Sequence, residues 1–357
     1  MRIPESRGPA SAVLLDILAT GGGSAPERDS LRGSVDDALA ATEDIFRDDD
    51  LQLTLFLLYQ LGYGGVDGSD ELEWDLTLLG ARAALEAALE TALRDRVPVP
   101  KRPEPNAESV ATALFSLTGQ DSGPSLSRFV AKKATDGQLR ELVVLKSVYA
   151  LKEADPQSWA IPRLQGRAKA ALVEILADEY GGGRAKRMHS TIFAGAMTGL
   201  GLDSTDGAYL DSVPALALAS VNVMSLFGLH RRLRGASVGL FAAYEMTSSL
   251  PNRQYGNGVR RLGYGDDVAW YFDEHVEADA VHEQIAARDM AGGLVEAEPH
   301  LLDDVLFGAA AGMTVDGWLG EDVFRAWSEG TSALRRPLPV AAPAQAGQTS
   351  TPATGSA

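Results

Sequence analysis

The chain has 357 residues, 45% of them hydrophobic and 23% charged, the make-up of an ordinary globular protein with room for one large or two medium domains. A formal net charge of −17 and the lack of any basic patch argue against nucleic acid or a membrane surface as the main partner. Cysteine is absent, which removes disulfides, thiolate nucleophiles, iron–sulfur clusters and cysteine-ligated zinc, and fits a reducing, cytoplasmic setting.

Residues 1–30 read as a poorly ordered N-terminus. They carry Gly21, Gly22, Gly23 and Pro26, and an apolar piece interrupted by Asp16 that does not make a signal peptide. A helical N-terminal region is expected over 31–123. Its pattern is helical from Val35 to Arg96, with breaks at Asp48–Asp50 and at the glycine-rich turn Gly62–Gly68. That turn fails as a dinucleotide fingerprint, because Asp67 takes the place of the third glycine and no strand precedes it. A proline-rich linker, VPVPKRPEPN, covers 97–106, and a further helix is expected around Val110–Leu117. The apolar stretch LQLTLFLLYQL, Leu51–Leu61, needs cover, either from its own bundle or from the second subunit of a homodimer.

The second region, 124–334, reads as helix almost throughout. The expected helices are Ser125–Lys133, Gln138–Ala154, Arg167–Tyr180, Ala185–Leu200, Pro214–Leu229, Arg231–Leu250, Asp266–Met290 and two more within Pro299–Trp327. No run alternates with strand period, so the fold class is all-α. The uncharged run Ser212–Leu229 carries Ser220, Asn222 and Ser225, and reads as a buried core helix rather than a membrane span. GASVG, Gly235–Gly239, matches a nucleophile elbow by letters but lies inside a helix, where small residues serve close packing. The tail 335–357, rich in Pro, Ala, Ser and Thr, is expected to be disordered.

Several ionisable groups fall on faces that should be buried. At about 100° per residue, His275, Asp279 and His282 share one helix face, bordered by Val268, Tyr271, Phe272, Ala278 and Ala286. Such a face needs counter-charges, hydrogen bonds or a metal. The same test turns Glu179 inward with Leu172, Ile175 and Leu176, while Glu174 and Asp178 point away. His189 lines up with Ile192, Phe193 and Ala196, and Glu245 with Val238, Phe241 and Ala242. Glu153 follows Leu142, Tyr149 and Ala150 near a helix end, on a face it shares with Lys146. Of the five histidines, His230 and His300 lie at helix boundaries and read as exposed or capping. Mixed carboxylate and imidazole donors projecting into a bundle core build di-iron and di-manganese sites, and an oxygen-rich set without cysteine favours Fe or Mn over structural zinc.

The order Glu153, then Glu179-x9-His189, then Glu245, then His275-x3-Asp279-x2-His282, with the text DEYGGGRAKRMHSTIF, resembles the ligand pattern of the heme-oxygenase-like diiron oxidases and oxygenases over about Pro124–Arg335. The resemblance implies a heme-oxygenase-like bundle with an additional N-terminal helical region. It implies two Fe(II) held by Glu153, Glu179, His189, Glu245, His275, Asp279 and His282, with no catalytic residue beyond these ligands. O2 would be co-substrate, the substrate a small organic molecule, and an external donor a source of electrons. Heme is not expected, since true heme oxygenases take an axial His from the first core helix, where this chain offers Glu153. Members of the family N-oxygenate amines, or desaturate and cleave fatty acids or amino acids. His275 and the N-terminal helices look more like the N-oxygenating branch, which would act on an amine or guanidine. The alternatives are a diiron desaturase or C–C lyase and a non-catalytic metal-binding helical protein.

Overall fold

The computed structural model describes residues 1–66, 68–119 and 125–338, with the side chains of 277–280 outside that description. Among the described residues every regular element is helical, as the all-α reading expects. The chain begins with α1 (Pro9–Ala19), α2 (Ala25–Ala41), α3 (Asp49–Gln60), α4 (Leu76–Arg96) and α5 (Ala107–Thr118). Aspartates set two of these starts: Asp48 accepts from the N–H groups of Asp50 and Leu51, and Asp75 from those of Thr77 and Leu78.

Within residues 1–30, where disorder was expected, Pro9–Ala19 and the first residues of α2 are helical. The buried Asp50 carboxylate accepts from Ala10 N at 2.9 Å and Ser11 N at 2.7 Å, neutralising the N-terminus of α1. Arg7 pairs with Asp49 at 2.9 Å, and Leu14 and Ile17 are buried. These partners lie some forty residues along the chain, where no local pattern of glycines could announce them.

The apolar stretch at 51–61 finds its cover within this chain. α3 is buried along almost its whole length against α1, α4 and α11 (Ala215–Leu229), part of one core that runs from the N-terminal helices into the bundle. The Asn222 amide of α11 donates to Gln52 O and Gln52 Oε1 at 3.0 and 2.8 Å, satisfying polar groups in the middle of that contact. α11 is itself buried on all sides, and no helix among the described residues is long and apolar enough to cross a membrane.

Before α11 come α6 (Leu126–Lys132), α7 (Asp136–Ala150), the single turn α8 (Asp155–Ser158), α9 (Gly166–Glu179) and α10 (His189–Gly199). After it come α12 (Arg234–Arg261), α13 (Asp266–Gln284), a π-helical segment (Ile285–Gly292), α14 (Gly293–Ala297) and α15 (Leu302–Ser328). α12 and α15 pack backbone to backbone: a Cβ added at Gly239 or Gly308 would run into Val305 or Ala236. The small residues of GASVG therefore serve packing. α12 also runs ten residues past Pro251, where a break was expected, at the cost of the hydrogen bond that Thr247 O would accept there. The two helices expected in Pro299–Trp327 are one, α15, preceded by a 3-10 turn at Pro299–Leu301. Of the tail, Arg335 pairs with Asp49 and Arg336 with Glu5. The disorder expected over 339–357, the role of Asp67 and the boundary at 123 and 124 lie outside the described residues.

Candidate metal centre

Glu179 ends α9 and His189 opens α10, and the sequence between them forces the two together. Gly181, Gly182 and Gly183 take φ of +68°, +58° and +77°, the left-handed region that glycine enters without penalty. This triple reversal, followed by a 3-10 turn at Ala185–Arg187, sets His189 Nδ1 2.9 Å from Glu179 Oε2, with the imidazole only 2% exposed. Glu153 arrives differently. α7 stops at Ala150, so Glu153 projects from a turn rather than from the helix end expected for it, next to Ala154 at φ +73°. A non-glycine residue in that conformation is strained, and such strain gathers at functional sites.

α13 supplies the facing wall. Tyr271 Oη donates to both Glu153 oxygens, at 3.2 and 3.0 Å, and His275 Nε2 lies 3.2 Å from Glu153 Oε1. One helical turn back, Tyr271 O is 2.7 Å from His275 Nδ1, which holds the proton on Nδ1 and leaves the Nε2 lone pair turned to the cluster. The His189 and His275 rings stand 4.4 Å apart. Further along, His282 Nδ1 is 3.2 Å from Glu245 Oε2 of α12, and the π-helical segment begins three residues later, a departure from α-geometry common at functional sites.

Six of the seven expected donors thus come together, in two groups. Glu153, Glu179, His189 and His275 form one, Glu179, Glu245 and His282 the other; within each, one donor atom per residue lies within 4.8 Å of the rest. Glu179 belongs to both. The side chain of Asp279, the seventh, is outside the described residues. His230 instead pairs with Glu86 at 2.9 Å, and His300 is exposed.

The donors fit a pair of hard or borderline cations. They are oxygen and imidazole nitrogen, they are buried, and His189 Nδ1 has no hydrogen-bond partner among the described residues although Glu179 is in ion-pair contact. Burial works to raise the Glu153 carboxyl, yet His275, His189 and the Tyr271 hydroxyl bring it below its ordinary value. Burial likewise lowers His282, but Glu245 and Asp178 reverse this and lift it to about 9. Without a metal His282 is therefore doubly protonated at neutral pH, and a cation must displace one proton to bind there.

Asp178 corrects the sequence reading. It points away from the core on a helical wheel and is 62% exposed, yet its Oδ2 lies 3.0 Å from His282 Nε2. Its position in the last turn of α9 lets the side chain reach sideways to α13. Tyr271 was also missed, though its place four residues before His275 on the same arc was a usable signal.

The centre opens on a cavity of about 320 Å3 between α7, α11, α12, α13 and α15. Glu153, Glu179, Glu245 and His275 form part of its wall, with Leu142, Leu145, Met224 and Phe241 apolar and Lys146, Ser220, Asn252 and Asp316 polar. Its size is at the small end for ligand pockets, which run from about 300 to 1,000 Å3.

A helical bundle with carboxylate and imidazole donors from facing helices fits a heme-oxygenase-like diiron protein. Residues 140–317 match the family described as iron-containing redox enzymes, and the chain belongs to it. Over 197 residues, 54% of the chain, it is 31% identical to the nitrosourea synthase of Streptomyces achromogenes subsp. streptozoticus. The match covers 41% of that relative, so the chain spans about two fifths of its length.

Proposed function

We propose that the protein is an O2-dependent nonheme diiron oxygenase that oxidises a nitrogen of a small amine or guanidine. One observation carries this: two buried donor groups share Glu179 and face the same cavity. A pair of Fe(II) ions would supply the electrons that activate O2, and Glu153, Glu179, His189, Glu245, His275, Asp279 and His282 would hold them. Tyr271 orients Glu153 through its two hydrogen bonds, the Tyr271 carbonyl fixes the His275 tautomer, and Asp178 keeps a proton on His282 Nε2. The apolar wall of Leu142, Leu145, Met224 and Phe241 limits water around the reacting nitrogen.

The polar groups in the cavity wall favour a nitrogen substrate over a fatty acid, whose chain would leave them buried without partners. The name of the relative, nitrosourea synthase, points the same way. The test is anaerobic loading with Fe(II), then O2 with panels of amines, guanidines, fatty acids and aliphatic amino acids, read by O2 uptake and product mass. A nitrogen compound heavier by one oxygen atom is expected. An alkene from a fatty acid or aliphatic amino acid would instead establish the desaturase or lyase reading, and iron uptake without O2 consumption the non-catalytic one. Electrons from an external reductant complete the proposal; the apolar stretch that suggested a homodimer is already covered within the chain.

A further inference from the structure

The outer face of α13 and the loop that leads to His189 form a surface that the donor groups do not use. On α13, Trp270, Glu274 and Val281 fall within about 40° of one another on the helical wheel, turned away from His275 and His282. Trp270 is 41% and Val281 61% exposed, and neither lines the cavity. Beside them the loop 184–187 presents Arg184, Lys186 and Arg187, all exposed, in a chain whose formal net charge is −17.

The two parts are locked together. Glu274 accepts from the Trp270 indole at 2.8 Å and from the Arg187 guanidinium at 2.6 Å, so one carboxylate fixes the ring and the loop relative to each other. A Cβ on Gly181 would run into the backbone of Arg187 and Met188, so the loop folds back tightly on itself. Arg184 and Lys186 enter no ion pair among the described residues. Glu274, Asp273 and Asp178 are meanwhile taken up by Arg187, Arg260 and His282. What results is a preorganised patch with two apolar anchors and two unneutralised cations at its edge, the make-up of a protein-binding surface.

This patch overlies the donors. Tyr271, which donates to Glu153, directly follows Trp270; His275 stands five residues, or about 7.5 Å, further along the axis, and His282 directly follows Val281. Placing one oxygen atom of O2 on an amine nitrogen needs two electrons and two protons: R–NH2 + O2 + 2e− + 2H+ → R–NHOH + H2O. The chain has no cysteine with which to hold an iron–sulfur relay or a dithiol of its own. Each turnover therefore draws on a reductant from outside.

We propose that the patch of Arg184, Lys186, Trp270 and Val281 docks an acidic one-electron carrier protein, which passes electrons across α13 while the substrate occupies the cavity. Two reduced carriers are oxidised per turnover, each by one electron. The rest of this acidic chain repels such a carrier and the two cations attract it, so charge selects the face on which it lands. The need for electrons rests on the N-oxygenase reading; the docking does not.

The test uses the full-length, iron-loaded chain without oxygen, with two purified probes, an acidic ferredoxin and an acidic flavodoxin. Calorimetry reads binding, and stopped-flow absorbance reads transfer from each reduced carrier to the oxidised protein, with dithionite as a reductant too small to need docking. At least one carrier should bind and transfer, with a Kd that rises with salt. Reversing both charges, Arg184→Glu together with Lys186→Glu, should weaken binding and slow transfer by about tenfold or more while leaving reduction by dithionite, iron content and Tm unchanged. Trp270→Ala should weaken binding without altering its salt dependence. Binding of neither carrier, equal transfer to the wild-type and charge-reversed proteins, or slower reduction by dithionite as well would overturn the proposal. So would a dimer in light scattering that Trp270→Ala separates, since the patch would then join two copies of this chain. Docking and transfer without an oxidised nitrogen product would remove the N-oxygenase reading alone, and nitrogen oxidation that the carrier sustains equally in the charge-reversed protein would remove only this one.

Discussion

The two donor groups are both made of buried side chains but are supported differently. The first, around Glu153, His189 and His275, is backed by aromatic rings: Phe193 lies 4.8 Å from Tyr271, and Tyr271 4.6 Å from His275. Every hydrogen bond described for it comes from a buried residue. The second, around Glu245 and His282, leans on a largely exposed aspartate, on the end of α13 and on a π-helical segment. The difference teaches that one position is held by the core and the other by a helix end, so metal should be gripped firmly at the first and exchanged more readily at the second.

Substitutions can break that comparison in graded steps. Glu179→Ala should have the largest effect, because Glu179 belongs to both groups: bound iron should fall toward zero by metal analysis. Glu153→Ala and Glu245→Ala should each remove one group and leave about one iron per chain, the first harming thermal stability more because it strands Tyr271 and His275 in the interior, at about 1–3 kcal/mol for each buried polar group left unpaired. Asp178→Asn should weaken only the second position, by about ten- to a hundredfold in Fe(II) affinity, the usual range for the partner of a ligating histidine. If it weakens both positions equally, the division into two groups is wrong. Glu174→Ala, on the solvent side of α9, should change neither iron content nor O2 uptake.

Much of this arrangement was legible in the sequence because it depends on helical periodicity. Glu179, His189, Glu245, His275 and His282 all face inward as the wheel places them, and their helices are long enough for the period to be unambiguous. The reading was weaker where the chain leaves the helix. Glu153 sits in a turn shaped by the left-handed Ala154, and Lys146, whose presence on the same face weakened the case for Glu153, borders the same cavity. Asp178 escaped because a wheel records the direction of Cβ, not the reach of a side chain at a helix end. Helix α1 and the start of α2 escaped for another reason: Arg7 and Asp50 find partners far along the chain, a tertiary fact with no local trace.

Glu179 belongs to both donor groups, so under the proposed function two metal ions would sit side by side and share it. An anaerobic Fe(II) titration of the full-length chain, followed by metal analysis after desalting, tests it most directly. Saturation at two irons per chain is expected, with the less tightly held one lost first on exposure to a chelator. Saturation at zero or one iron, or stoichiometric heme in place of iron, would contradict it.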